Sequence, residues 1–311
     1  MNSLRDDISD YLALRRSLGF KLKKDGRLLP DFATFMEHRH ATHITAKLAL
    51  QWAQQPASTD TNYHAGRLRA VRSFARYRSL TDPRTEIPAT DLLPRHRSTF
   101  RPHIFSEDEV RRVLAASLQR RRGAKPISRW SRYAIFGLLS VTGMRVGEVL
   151  NLDLEDVDLD NGVLTIRNAK FGKDRLVPVH ATTCEALKTY RQHRDEFLAG
   201  KAVEPFFISP LGCRVTHGVL DLSFLRLTRK LGLRGAMDAK GPRLHDLRHT
   251  MAVEVLHRCY REGADLERRL PALSTYLGHT DLAYTYWYLH QNPSLMTQAM
   301  ARLEHRWETP A

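Results

Sequence analysis

Four prolines, Pro83, Pro88, Pro94 and Pro102, fall within twenty residues, and neither a helix nor an interior strand can run through them. A chain interrupted in this way is expected to fold as two bodies joined by a linker over about residues 82–102. Arg95, His96 and Arg97 keep that stretch polar. Just beyond it, Ser106-Glu107-Asp108-Glu109 has the form of a capping box that opens a helix. We therefore expect a first domain over residues 1–98 and a second over 99–311. The 311 residues give each of them enough chain to bury a core.

The first domain reads as helices throughout. Leu4, Ile8, Tyr11, Leu12 and Leu14 recur near helical spacing and Gly19 supplies a stop, followed by the basic turn Lys21, Lys23, Lys24. Further helical patterns run through Leu28–Met36, Leu48–Trp52 and Asn62–Tyr77. In the last of these Leu68, Val71 and Ala75 form an inward stripe, while Arg69, Arg72 and Arg76 share the adjacent face. That basic face and the lysine turn are the candidate phosphate contacts. A merely solvated helix face is an equal alternative at this point.

Composition supports a polyanionic partner. Lys plus Arg total 49 against 34 Asp plus Glu, a net charge of +15. The excess is spread over both domains, so this is not a neutral enzyme with one basic tail. Three cysteines without short spacing argue against a disulfide framework and a cysteine zinc site. With no signal-peptide pattern at the start and no apolar run long enough to span a bilayer, the expected location is the cytoplasm, at the nucleoid, with no membrane association.

In the second domain helical patterns are broken once. Asn161-Gly162 is a strong hairpin dipeptide, and Val163–Ile166 and Arg175–Val179 read as strands flanking a turn that carries Lys170, Gly172 and Lys173. Around this interlude lie three motifs. Thr142-Gly143-Met144-Arg145-Val146-Gly147-Glu148 sets an arginine at a turn into a helix. His245-Asp246-Leu247-Arg248-His249 carries His-x-x-Arg. Leu277-Gly278-His279 is followed nine positions later by Tyr288.

Singly, each motif has a plain structural reading. Arg145 and Glu148 could be a surface i,i+3 pair, His279 a packed histidine, and Tyr284, Tyr286, Trp287 and Tyr288 an aromatic stripe in which two of the three tyrosines pack. His245 and His249 have the spacing of a metal pair, but Asp246 stands where a zincin needs Glu and no third ligand is evident, so no metal is expected. In this order, with the lysine-bearing hairpin between them, the motifs resemble the tyrosine recombinase, or phage integrase, family over about residues 100–295.

The resemblance implies a mainly α protein, with a helical N-terminal DNA-binding domain and an α-rich catalytic domain holding a small antiparallel β-sheet. It implies site-specific cleavage and rejoining of double-stranded DNA through a 3′-phosphotyrosyl intermediate, with no cofactor. The protomers would assemble as a synaptic tetramer, with other recombinases or accessory proteins as further partners. Arg145 and Arg248 would hold the non-bridging phosphate oxygens, and Tyr288 would attack. His245 would move the proton, His279 would hydrogen-bond the phosphate, Lys170 would protonate the leaving oxygen, and Glu148 would support the site from behind. The chemistry agrees, because a phosphodiester repels nucleophiles and its alkoxide leaves poorly without a proton. A mobile-element integrase or transposase is the favoured role. Two rivals remain: topoisomerase-like relaxation of type IB, and a non-catalytic DNA-binding accessory protein. The spacing from Arg248 to His279 is longer than in compact members, the excess falling near residues 258–270. The tail over 291–311 has helical spacing and could dock either on its own domain or on a neighbour.

Overall fold

The structure is a computed structural model and describes residues 3–57, 61–94, 101–120, 122–167, 174–238, 240–263, 265–291, 295–298, 300–301 and 304. The chain forms two compact units, Met1–Phe100 and Arg101–Ala311.

The first unit contains α1 (Leu4–Ser17), α2 (Asp25–His38), α3 (Ala46–Gln54) and α4 (Thr61–Arg78). Caps set the helix starts. Ser3 and Asp6 exchange hydrogen bonds at the head of α1, and the Thr45 hydroxyl accepts from Leu48 N at the head of α3. The core gathers Leu29, Phe32, Met36, Trp52, Val71 and Phe74. Arg67 is buried against this core. Arg67 lies 3.8 Å over the Trp52 ring and donates to Asp31 Oδ2 at 3.1 Å and to Trp52 O at 3.2 Å, so its buried charge is matched on each side.

The second unit contains α5 (Glu107–Ser117), α6 (Ile127–Thr142), α7 (Val146–Leu150), β1 (Val157–Asp158), β2 (Val163–Ile166), β3 (Arg175–Pro178), α8 (Ala181–Leu198), α9 (His217–Lys230), α10 (Leu244–Arg261), α11 (Leu266–Leu277) and α12 (Ala283–Gln291). The expected capping box is present at α5, with Ser106 and Glu109 reciprocally bonded. Helix α6 is apolar on most of its surface, and α5, α8 and α10 pack around it. The described strands form one antiparallel sheet in the order β1-β2-β3, with Leu164 opposite Val177 and Ile166 opposite Arg175. Asn161-Gly162 makes the β1–β2 turn, where Gly162 takes a φ of +66°. The fold is thus mainly α with a small antiparallel sheet, as expected.

A second cluster in this unit joins α10, α11 and α12 through Val253, Leu256, Leu270, Leu273, Leu277 and Tyr288. The long spacing between Arg248 and His279 is taken up mostly by helix, since α10 runs to Arg261 and α11 opens at Leu266. The described part of the tail packs on its own unit. Leu295 is fully buried in that cluster, and Gln298 Oε1 lies 3.1 Å from His257 Nδ1 of α10.

Candidate active site

The site is built on backbone before it is built on side chains. Helix α6 ends at Gly143, whose φ of +60° is the left-handed cap that glycine tolerates. A Cβ there would stand 3.1 Å from both Leu277 Cδ2 and Met251 Sδ. The turn delivers Arg145 as the cap of α7, three positions before Glu148. The Glu148 carboxylate accepts from Arg145 N and from Arg145 Nη1, each at 2.8 Å. It also accepts from both terminal nitrogens of Arg175, at 3.0 and 2.7 Å. Burial alone would raise the Glu148 pKa; the hydrogen bonds and charge of the two arginines outweigh it and bring it down to about 2. Arg145 Nη2 donates to Gly278 O at 2.8 Å, which ties the first motif to the third.

Arg248 is 2% exposed. Its Nη1 donates to Gly143 O at 2.6 Å and its Nη2 to Leu277 O at 2.7 Å, so backbone carbonyls of the other two motifs orient it. Burial pulls its pKa below the ordinary arginine value, and the neighbouring Tyr288 opposes that pull. His245 lies one turn earlier on α10. Burial, then the charges of Arg248 and Arg243, lower its pKa to about 4. His249 is lowered to about 3 by burial and by His245. Its ring meets His245 edge-on at 4.8 Å and Tyr288 at 5.4 Å, and its Nδ1 is buried without a hydrogen-bond partner among the described residues.

Helix α11 stops at Leu277, and Gly278 turns the chain with a φ of +67°. A Cβ at this position would come 2.8 Å from Arg175 Nη1. His279 follows, its ring nearly parallel to that of Tyr288 with centroids 6.2 Å apart. Burial, then Arg248 and Arg145, lower the His279 pKa to about 4. Tyr288 is 3% exposed; burial raises its pKa against the pull of Arg248 and Arg145. The expectation that two of the three tyrosines pack is reversed. Tyr284 and Tyr286 are 55% and 43% exposed, whereas Tyr288 is buried in the cluster of α10, α11 and α12.

The fold therefore brings Arg145, Glu148, His245, Arg248, His279 and Tyr288 into one constellation. Lys170 and Lys173 lie outside the described residues. An open cavity of about 780 Å³ flanks Arg145 and His245, walled by His217, Arg234 and Arg243. In the first unit, Lys24, Arg69 and Arg72 line one hollow together, so the lysine turn and the arginine face share a surface. Lys21, Lys23 and Arg76 are exposed. Arg72 differs from them, since it donates to Pro88 O at 2.6 Å and to Ala89 O.

Two contributors were not singled out from the sequence, Arg175 and Thr285. Arg175 carried a readable signal. In β3 it alternates with Leu176 and shares its face with buried Val177, so a charge was aimed inward and needed a carboxylate. Thr285, buried and 2.8 Å from His279 Nδ1, carried none.

Comparison with known proteins identifies the family. The phage integrase family matches residues 103–294. The protein y4rB of Sinorhizobium fredii, named as an integrase/recombinase, is 49% identical over 311 residues and covers 99% of each chain. The crystal structure of XerA recombinase is 26% identical, covers 98% of each chain and superposes with a TM-score of 0.50. A lambda integrase tetramer bound to a Holliday junction shares the fold, with 18% identity, a TM-score of 0.57 and coverage of 90% of this chain and 78% of that one. The chain belongs to the phage integrase family and is a tyrosine recombinase, a site-specific enzyme that cleaves and rejoins DNA strands through a phosphotyrosine link. Among the described residues, no helix is long and apolar enough to cross a membrane.

Proposed function

We propose that Tyr288 attacks a scissile DNA phosphate held by Arg145 and Arg248, forming a 3′-phosphotyrosyl link and releasing a 5′ hydroxyl. The observation that carries this reading is the convergence of two guanidiniums and one buried phenol that face each other's charge. The arginines stabilise the added charge of the pentavalent transition state, where loss of one such donor costs about 10²–10³ in rate. His245 is unprotonated at neutral pH and can accept the phenolic proton. An arriving phosphate offsets the field of Arg248, which favours the protonated form of His245 as the proton moves. His279 donates a hydrogen bond to the phosphate, and Lys170 protonates the 5′ oxygen. Glu148 holds Arg145 in place, and Arg175 holds Glu148.

In this reading the second unit, including its tail, is the catalytic domain. The first unit grips duplex DNA by phosphate contacts from Lys21, Lys23, Lys24, Arg69 and Arg76. Strand exchange requires two duplexes, and the tetrameric lambda integrase complex supports a synaptic tetramer here. A mobile element whose ends are joined or moved by this chain is the best-fitting substrate. The test is a nicked duplex carrying an end of such an element, which traps the covalent intermediate. Wild-type protein should yield a protein–DNA adduct that resists denaturant. An adduct formed equally well by Tyr288→Phe would overturn the assignment.

A further inference from the structure

Thr285 belongs to none of the motifs that mark the site, yet it is wholly buried, and its Oγ1 lies 2.8 Å from His279 Nδ1. It sits in the first turn of α12, three positions before Tyr288, so one short helix carries both. The direction of its hydrogen bond decides what His279 can do.

His279 is unprotonated at neutral pH, with one N–H and one lone pair on its ring. A threonine within a helix commonly donates to the carbonyl four residues back, as Thr250 does to Asp246 O at 2.9 Å. For Thr285 that carbonyl belongs to Asp281, which accepts from Tyr284 N; Leu282 O accepts from the backbone N–H of both Thr285 and Tyr286. Among the described residues the Thr285 hydroxyl is hydrogen-bonded to His279 alone. If His279 Nδ1 were the donor, the hydroxyl hydrogen would be buried with nothing to receive it.

We propose that Thr285 donates its hydroxyl hydrogen to His279 Nδ1, which holds His279 in the tautomer protonated on Nε2 and makes the ring a hydrogen-bond donor only. With Nδ1 occupied and Nε2 protonated, His279 cannot take the proton from Tyr288, and that task falls to His245. Thr285 is thus a positioning residue that acts through His279. The use made of Nε2–H rests on the phosphoryl-transfer reading above, whereas the tautomer is a property of the free protein.

The experiment is a long-range ¹H–¹⁵N correlation spectrum of the histidine rings in the full chain at neutral pH, with His279 assigned by its loss in His279→Gln. Wild-type protein should show His279 protonated on Nε2, with Nδ1 shifted as a hydrogen-bond acceptor. Thr285→Val, close in size but lacking the hydroxyl, should lose that acceptor shift and slow adduct formation by about 10–100-fold, the usual cost of removing a partner that orients a functional histidine. Thr285→Ser should restore both. A wild-type proton on Nδ1 overturns the proposal, and this holds even if Thr285→Val does not fold. So does a folded Thr285→Val with an unchanged His279 spectrum. A correct tautomer with no adduct on any DNA would instead count against the recombination reading and leave the tautomer assignment standing.

Discussion

Arg175 and Glu148 meet in a two-pronged ion pair, with Nη1 to Oε1 at 3.0 Å and Nη2 to Oε2 at 2.7 Å, while Arg145 binds the same carboxylate from the other side. The pair connects the strand that follows the lysine-bearing turn to the arginine of the first motif. Glu148→Ala should leave two guanidiniums facing each other without a counter-charge, at a cost of about 3–5 kcal/mol in urea unfolding. Arg175→Ala should lower cleavage about 10²-fold by letting Arg145 drift. That loss should shrink in a Glu148→Gln background, which a double-mutant cycle measures directly. Arg175→Lys should not substitute, because an ammonium cannot supply both prongs.

Tyr288, Tyr284 and Tyr286 separate cleanly by position. Tyr288→Phe removes one hydroxyl from a side chain facing Arg248, so DNA binding should persist and the covalent adduct should vanish. Tyr284→Phe and Tyr286→Phe alter exposed side chains and should form the adduct at close to the wild-type rate. Loss of the adduct in Tyr286→Phe would place the nucleophile in the wrong register.

Stability should depend on pH through three histidines. His245, His249 and His279 have pKa values held to about 4, 3 and 4, first by burial. The unfolded chain takes up protons near pH 6.5, where the folded protein does not, so the unfolded state binds more protons below that pH. The stabilising contribution is therefore complete above about pH 6.5 and declines as pH falls toward 4, by up to about 1.4 kcal/mol per pH unit for buried His249 and by less for half-buried His279 and exposed His245, which solvent screens. Urea midpoints at about pH 7.5, 6 and 5 measure the slope. His249→Phe should flatten it; an unchanged slope would contradict the assignment.

A sulfur-substituted substrate tests the role of Lys170. An alkoxide leaves poorly because its conjugate acid has a pKa near that of water, about 15.7, whereas a thiol is near 8.5. Lys170→Ala should cleave ordinary DNA very slowly and recover on a substrate with sulfur at the bridging 5′ position. Arg145→Ala should not recover, since its proposed role is on the non-bridging oxygens. Rescue of Lys173→Ala in place of Lys170→Ala would move the role to Lys173.

The arginines of α4 should divide by function. Arg69→Ala with Arg76→Ala should weaken binding to duplexes of any sequence and reduce the salt slope by about one for each phosphate no longer gripped. Arg72 donates to Pro88 O and Ala89 O, so Arg72→Ala should mainly loosen that attachment and lower the melting temperature. Binding isotherms over a salt series and thermal melts distinguish the two effects.

Much of this site was legible in the sequence because each motif is short and its geometry local. Three residues of helix bring His245 and Arg248 to one face, and a glycine cap delivers Arg145. The sheet was legible from Asn161-Gly162 and alternation. Arg175 escaped because it precedes Leu176, and hydropathy suggests the opposite orientation; Leu176 is 65% exposed while Arg175 turns inward. Thr285 escaped because nothing in its neighbours announces a contact across a turn. The folding of the tail onto α10 depended on long-range packing of Leu295, which helical spacing alone could not direct.

The carbonyls of Gly143, Leu277 and Gly278 aim Arg248 and Arg145, and they belong to no side chain. A survey of amino-acid replacements across this enzyme would therefore undercount its working parts. Leu277→Met keeps the oxygen that orients Arg248, and would be scored as tolerant whatever that oxygen contributes. Replacing single peptide links by esters, which weakens the carbonyl as an acceptor without altering any residue's side chain, would reach the part of the machinery that the genetic code cannot vary.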